Sequence, residues 1–289
     1  MQLHTIHTGN FMLDGGAMFG VVPKSLWSKH MASDVNNMCS WAMRCLLVEH
    51  EDNLLLVDTG IGSKQSEKFF SHYHLHGEDS LEKSLASRGF SSNDITDVLL
   101  THLHFDHVGG AVERDVNGLY KPAFPNAKFW TSQRQWNWAM NPNPREKASF
   151  LSENLLPLEE SGQLHFIERN GRWNNEPFGE RFPGLDIFFA DGHTDSQMLP
   201  VISYRGTRVA YMADLTPAVA HLPLAWVIGY DTRPLLTMEE KALLLEQAHR
   251  ENWVLFFEHD AKNACCRLES TEKGIRATGI APSFEEAWG

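Results

Sequence analysis

Cysteine is scarce in this chain: Cys39, Cys45, Cys265 and Cys266 are the four among 289 residues, and none shows CxxC spacing. That excludes a dense disulfide framework and a cysteine-based zinc knuckle. It leaves the adjacent pair 265–266 as buried thiols of a reduced, cytoplasmic protein. Positive charge is also short. Lys and Arg number 25 against 37 Asp and Glu, for a formal net charge of −12. No basic cluster breaks that balance, so no nucleic acid is expected as a partner. No apolar run reaches the roughly 18 residues of a membrane-spanning helix, so no membrane is expected either. The start, MQLHTIHTGNF, lacks the charged segment and apolar centre of a signal peptide. A small-molecule substrate is the partner left.

What is present is a large apolar share, 42% of residues, enough for a sizeable core. WAMRCLLVEHEDNLLLVDTG reads as two strands turning at Glu51-Asp52-Asn53. A helix follows in DSLEKSLASRGF, stopped by Gly89. DVLLTHLH and KFWTS are strands and SQRQWNWAM a helix. LDIFFADGH and the hairpin PVISYRGTRVAYMAD supply three more strands, and WVLFFEHD a last one. TMEEKALLLEQAHREN is a helix, with Thr237 and Glu240 as a capping box and Leu243, Leu244 and Ala248 as its apolar stripe. Two strand clusters with helices and no linker between them predict one α/β domain of stacked sheets over residues 1–289. Residues 1–40 read as an N-terminal arm, 41–260 as the core and 261–289 as a C-terminal extension.

One stretch stands apart. THLHFDHVGG places His102, His104, Asp106 and His107 within six positions, directly behind the apolar VLL. Buried without a partner, so many polar groups would be costly; a divalent metal removes that cost. His193 in FFADGHTD, Asp214 in VAYMADL and His259 in VLFFEHD also follow apolar strands, as does Asp58 in LLLVDTG. Any one of these could simply end a strand. Their recurrence argues otherwise. His4, His7, His72, His74 and His76 carry no such context.

At these residues, from about Trp41 to Asp260, the chain resembles the metallo-β-lactamase superfamily of metallohydrolases. The resemblance implies an αββα sandwich of two mixed sheets flanked by helices, with a dinuclear metal site at one edge. It implies one metal on His102, His104 and His193 and a second on Asp106, His107 and His259. Asp214 would bridge them, and Asp58 would orient the HxHxDH loop from behind. The nitrogen and oxygen donors suit two zinc ions, with manganese, iron or cobalt as alternatives. Where many relatives read GHTPGH this chain reads GHTDSQ, so Gln197 replaces a histidine that is generally not a ligand.

Such a site implies a metal-bridging hydroxide as nucleophile, with Asp106 as the catalytic carboxylate; neither Ser132, Ser196 nor a cysteine is needed. ADLTPAVAHLPLAWVIGYD further resembles the branch of acyl-homoserine-lactone lactonases and methyl parathion hydrolase. A lactone or ester substrate is therefore expected, ahead of a phosphotriester and then of a β-lactam or thioester. A di-iron oxidoreductase on this scaffold would usually carry Glu at position 104 and an added flavin domain, which this sequence lacks. Phe19 and Trp27 of the arm, with His221, are the candidate substrate contacts; the arm's other reading is ordinary packing or a homodimer contact.

Overall fold

Apolar side chains alternate between two faces along the first long hairpin of the computed structural model, which describes residues 1–284 and 286–288. Leu46, Val48, Leu55 and Val57 enter one buried cluster. Their neighbours Cys45, Leu47, Leu54 and Leu56 enter another on the opposite face. A strand covered on both faces needs both patterns at once.

Strands β1 (Gln2–Asp14), β2 (Met38–His50), β3 (Asn53–Val57) and β4 (Asp97–Leu99) begin the first sheet. A small hairpin, β5 (Val112–Arg114) and β6 (Tyr120–Pro122), stands apart from it. Strands β7 (Lys128–Ser132) and β8 (Leu164–Ile167) complete the sheet in the order β1-β2-β3-β4-β7-β8. The second sheet holds β9 (Trp173–Asn174), β10 (Leu185–Ala190), β11 (Gln197–Tyr204), β12 (Thr207–Tyr211), β13 (Val254–Phe256), β14 (Cys265–Thr271) and β15 (Gly274–Ala281).

The inner faces of the two sheets share one core, with Val57 and Leu99 from the first and Ile187, Phe189, Val209 and Phe256 from the second. Leu85, Trp136 and Leu158 from helices cover the outer face of the first sheet. Leu244, Leu245 and Ala248 of the helix Pro234–Arg250 cover that of the second. The result is the expected αββα sandwich. Pairing is parallel from β3 through β4 to β7 and between β12 and β13. The segments leaving β3, β4, β10, β12 and β13 carry the candidate residues.

Three local expectations differ from the structure. The arm begins as a 13-residue strand, β1, paired antiparallel with β2, so its alternating residues are sheet residues. At the other end β14 and β15 belong to the second sheet; residues 261–281 extend its pairing rather than trailing from it. Thr237 and Glu240 form no capping box, because the helix starts at Pro234 with Arg233 as its N-cap. Pro at a first helical position sacrifices no hydrogen bond. Glu240 instead accepts the backbone N–H groups of Asp191 and Gly192, each at 2.9 Å, and Leu243 faces solvent. No helix among the described residues is long and apolar enough to cross a membrane.

The glycines closing THLHFDHVGG have a steric cause. A Cβ on Gly109 would lie 2.1 Å from Ile61 O, and one on Gly110 2.2 Å from Thr59 O. The two loops that carry the cluster and Asp58 therefore touch backbone to backbone, a contact no larger residue fits. Gly109→Ala should cost about 2 kcal/mol or more of stability. Denaturant unfolding checks this, and a variant as stable as the parent would contradict the packing described.

Candidate metal centre

Each candidate donor sits just past a strand end, where the sheet fixes the backbone beneath it. His102 follows β4, and His104 caps the short helix Phe105–Val108 that carries Asp106 and His107. His193 follows β10, Asp214 follows β12 and His259 follows β13. Asp58 and Ala213 hold φ at +58° and +40°, conformations that non-glycine residues seldom adopt outside functional turns. All seven candidate donors are buried.

The ring nitrogens converge. His104 Nδ1 lies 3.1 Å from both His102 Nε2 and His193 Nε2. Asp214 Oδ2 is 3.2 Å from His193 Nε2 and 3.9 Å from His102 Nε2. On the other side His107 Nε2 and His259 Nε2 are 3.2 Å apart. Asp106 Oδ2 lies 3.8 Å from each of these nitrogens, and Asp214 Oδ1 lies 3.1 Å from His259 Nε2. Tetrahedral donors about 2.0–2.1 Å from a zinc ion stand about 3.3 Å from each other, so both groups have the span of a coordination shell. Asp214 offers one oxygen to each.

The outer nitrogens decide which atoms carry protons. His107 Nδ1 faces Asp58 Oδ2 at 3.1 Å, His193 Nδ1 faces Asp231 Oδ1 at 3.0 Å and His259 Nδ1 faces Ala42 O at 2.7 Å. His104 Nε2 faces Glu146 Oε1 at 3.3 Å. His102 Nδ1 faces Thr101 Oγ1 at 3.1 Å, whose own proton goes to Asp58 Oδ2 at 2.7 Å. Every ring thus has an acceptor at its back. With the proton held there, the inner nitrogen presents a lone pair. Five lone pairs at contact distance repel unless a cation lies among them.

Where no metal lies among the rings, protons drawn in by Asp214 take its place. Burial, with His107 and His104 alongside, pushes His102 well below the ordinary imidazole range. Against burial, Asp214 draws His193 upward and His259 up to about 9. The same histidines hold the Asp214 carboxyl well below its ordinary value, while its Oδ1 accepts no hydrogen bond. That carboxylate demands positive charge between itself and the rings. The two groups His102–His104–His193–Asp214 and Asp106–His107–His259 could each hold a metal ion.

Residues 44–259 match the family described as the metallo-beta-lactamase superfamily. The chain belongs to it. Within this superfamily it is similar to an N-acyl homoserine lactonase of Bacillus thuringiensis, 25% identical over 283 residues covering 92% of this chain and 96% of that protein. A probable metal-dependent hydrolase from Staphylococcus aureus has a similar solved structure: TM-score 0.86 at 28% identity, covering 98% of this chain and 97% of that one. The fold is also that of AidC, a dizinc quorum-quenching lactonase solved with a homoserine product. There the TM-score is 0.74 at 22% identity, covering 98% of this chain and 94% of that one. The protein is accordingly a metallohydrolase of the metallo-β-lactamase superfamily, with lactonases among its relatives.

The donors open onto a cavity of about 430 Å³, bordered by His104, Asp106, His193, Asp214 and His259 and walled by Leu13, Met18, Tyr73, Phe105 and Tyr230. The expected substrate contacts Phe19, Trp27 and His221 do not line it. Phe19 is fully buried between the ring of Trp27, 5.2 Å away, and the ring of His221, 4.5 Å away. His221 Nε2 pairs with Met18 O at 2.9 Å. These three are packing beneath the wall, and Leu13 and Met18 are the arm residues that reach the cavity. Gln197, in place of the relatives' histidine, brings its side-chain amide 3.3 Å from His102 Nδ1, at the back of the ring and away from the inner nitrogens.

Glu146 and Asp231 escaped the sequence reading. Glu146 lies in NPNPREKASF, which has no strand pattern to mark it. Against its own burial, hydrogen bonds led by His104 hold it down to about 2. Asp231 closes a segment that the lactonase likeness covers, yet nothing local shows that it faces His193. Asp231→Ala should leave the sheets folded and weaken zinc binding about 10- to 100-fold by freeing the His193 ring. Competition against a chromophoric chelator measures this; unchanged affinity would contradict the role given to Asp231.

Proposed function

We propose that the protein is a dinuclear metal-dependent hydrolase that opens a lactone, or cleaves a related ester, bearing an apolar acyl chain. The observation that carries this reading is the meeting of five inward imidazole nitrogens and two aspartates at the floor of a largely apolar cavity. His102, His104 and His193 would hold one ion and Asp106, His107 and His259 the other, with Asp214 between them. The donors suit zinc, and manganese, iron and cobalt are the alternatives. Bound there, such ions supply Lewis acidity and a water acidic enough to react near neutral pH.

The chain's own groups do the rest. Asp106 is buried yet borders the cavity, so its carboxylate can orient a water and pass the proton to the leaving oxygen. Leu13, Met18, Tyr73 and Phe105 offer an acyl chain a surface that excludes water. Burial raises the Tyr230 phenol to about 12, so it faces the cavity as a neutral donor. Arg145 reaches across the mouth to Gly229 O and joins the two loops that frame it. The names of the relatives support the choice of substrate: the Bacillus proteins are N-acyl homoserine lactonases, and AidC was solved with a homoserine product.

The test is a substrate panel for the zinc-loaded protein: N-acyl homoserine lactones of rising chain length, a β-lactam, a thioester, a phosphodiester and a phosphotriester. Lactone opening should lead. Each added methylene should raise kcat/KM by up to about fourfold, the equivalent of about 0.8 kcal/mol, until the cavity is full. Met18→Ala should flatten that slope, and Asp214→Ala should lose turnover while keeping its circular dichroism. Highest efficiency on a phosphotriester, or indifference to chain length, would remove the lactone assignment.

A further inference from the structure

Glu258 precedes His259 and is fully buried, and neither of its carboxylate oxygens accepts a hydrogen bond. Its Oε2 nevertheless lies 3.1 Å from His107 Nδ1. Asp58 Oδ2 lies at the same distance from the same nitrogen. A ring nitrogen carries one proton and can serve one acceptor. Asp58 is the better-held competitor, since Thr101 N and Thr101 Oγ1 both donate to it at 2.7 Å. Glu258 has no such support.

The buried cation nearby does not serve Glu258 either. Arg44 donates Nη1 to Phe257 O at 2.7 Å and Nη2 to Asp260 O at 2.9 Å. A buried carboxylate without a donor is expensive unless opposite charge lies close. Arg44 therefore reaches Glu258 through charge alone, and the other positive charge beside it is that of the His107 ring and whatever its far nitrogen binds. The two halves of the centre differ here. Behind His104 and His193 stand two carboxylates, Glu146 and Asp231. Behind His259 stands only a neutral carbonyl, Ala42 O. Without Glu258, the His107–His259 half would have Asp58 as its single backing carboxylate.

We propose that Glu258 is a positioning residue for the metal at His107, its charge acting through the imidazole ring to tighten the Asp106–His107–His259 half of the centre. The inference rests on the dinuclear reading above. It also explains why a second carboxylate is tolerated against a ring that Asp58 already orients: its field adds to the basicity of His107 without taking the proton from Asp58.

Glu258→Gln preserves size and keeps an oxygen for the ring while removing the charge. Metal-free wild type and variant would be titrated with zinc against a chromophoric chelator at one fixed pH, and the melting temperature of each metal-free protein recorded. Wild type should take up two ions. In the variant one of them should bind about 10-fold more weakly or worse, with the other unchanged and no loss of metal-free melting temperature. Two ions bound as in wild type would overturn the proposal. So would an equal weakening of both together with a lower melting temperature, which marks a folding role. A wild type that binds fewer than two ions would instead bring down the dinuclear reading itself.

Discussion

The centre depends on where five imidazoles keep their protons. Each ring has an oxygen at its outer nitrogen: Thr101, Glu146, Asp58, Asp231 and Ala42 supply them. The inner nitrogens are left as lone pairs pointing at one another across 3.1–3.2 Å. Such a set repels unless a cation lies among the rings, either a metal ion or the protons that Asp214 draws to His193 and His259. A cation between the rings turns the repulsion into attraction, and Asp214, whose oxygens approach both halves, adds charge of the right sign. The outer oxygens are therefore as much a part of the centre as the rings.

Holding those oxygens in place explains much of the scaffold around them. Asp58 follows β3 and sits in a left-handed turn, which aims its carboxylate at Thr101 and His107. The glycine pair lets that turn lie against the HxHxDH loop with no side chain between. Across the sandwich, Glu240 receives the backbone N–H groups of Asp191 and Gly192 and so steadies the approach to His193. Lys241 on the same helix donates to the carbonyls of Pro223 and Trp226 at 2.9 and 3.0 Å, fixing the segment that leads to Tyr230 and Asp231. One helix thus braces two separate parts of the centre.

The converging donor positions were legible in the sequence because each ends an apolar strand, and that context is local. His102, Asp214 and His259 all follow runs that the sheets bury on both faces. The layered fold was legible for the same reason: the two-residue alternation in Leu46–Val48 and Leu54–Val57 repeats the geometry of a covered strand. What lay beyond the sequence were contacts between distant segments. Glu146 reaches His104 from a loop without periodicity, and Glu258 stood inside a quoted motif where only His259 drew notice. Phe19 and Trp27 read as candidate substrate contacts because their cover comes from residues as far away as His221 and Trp226. The capping box at Thr237 gave way to Pro234, which opens the helix earlier, and Glu240 turned to tertiary donors.

The central claim is that two groups of inward lone pairs are two adjoining metal sites sharing Asp214. Crystals grown with zinc, with diffraction recorded on both sides of the zinc absorption edge, would show this in an anomalous difference map. The account predicts two peaks per chain, one among His102, His104 and His193 and one among Asp106, His107 and His259, with Asp214 touching both. A single peak, or none at these rings in zinc-saturated crystals, would contradict it.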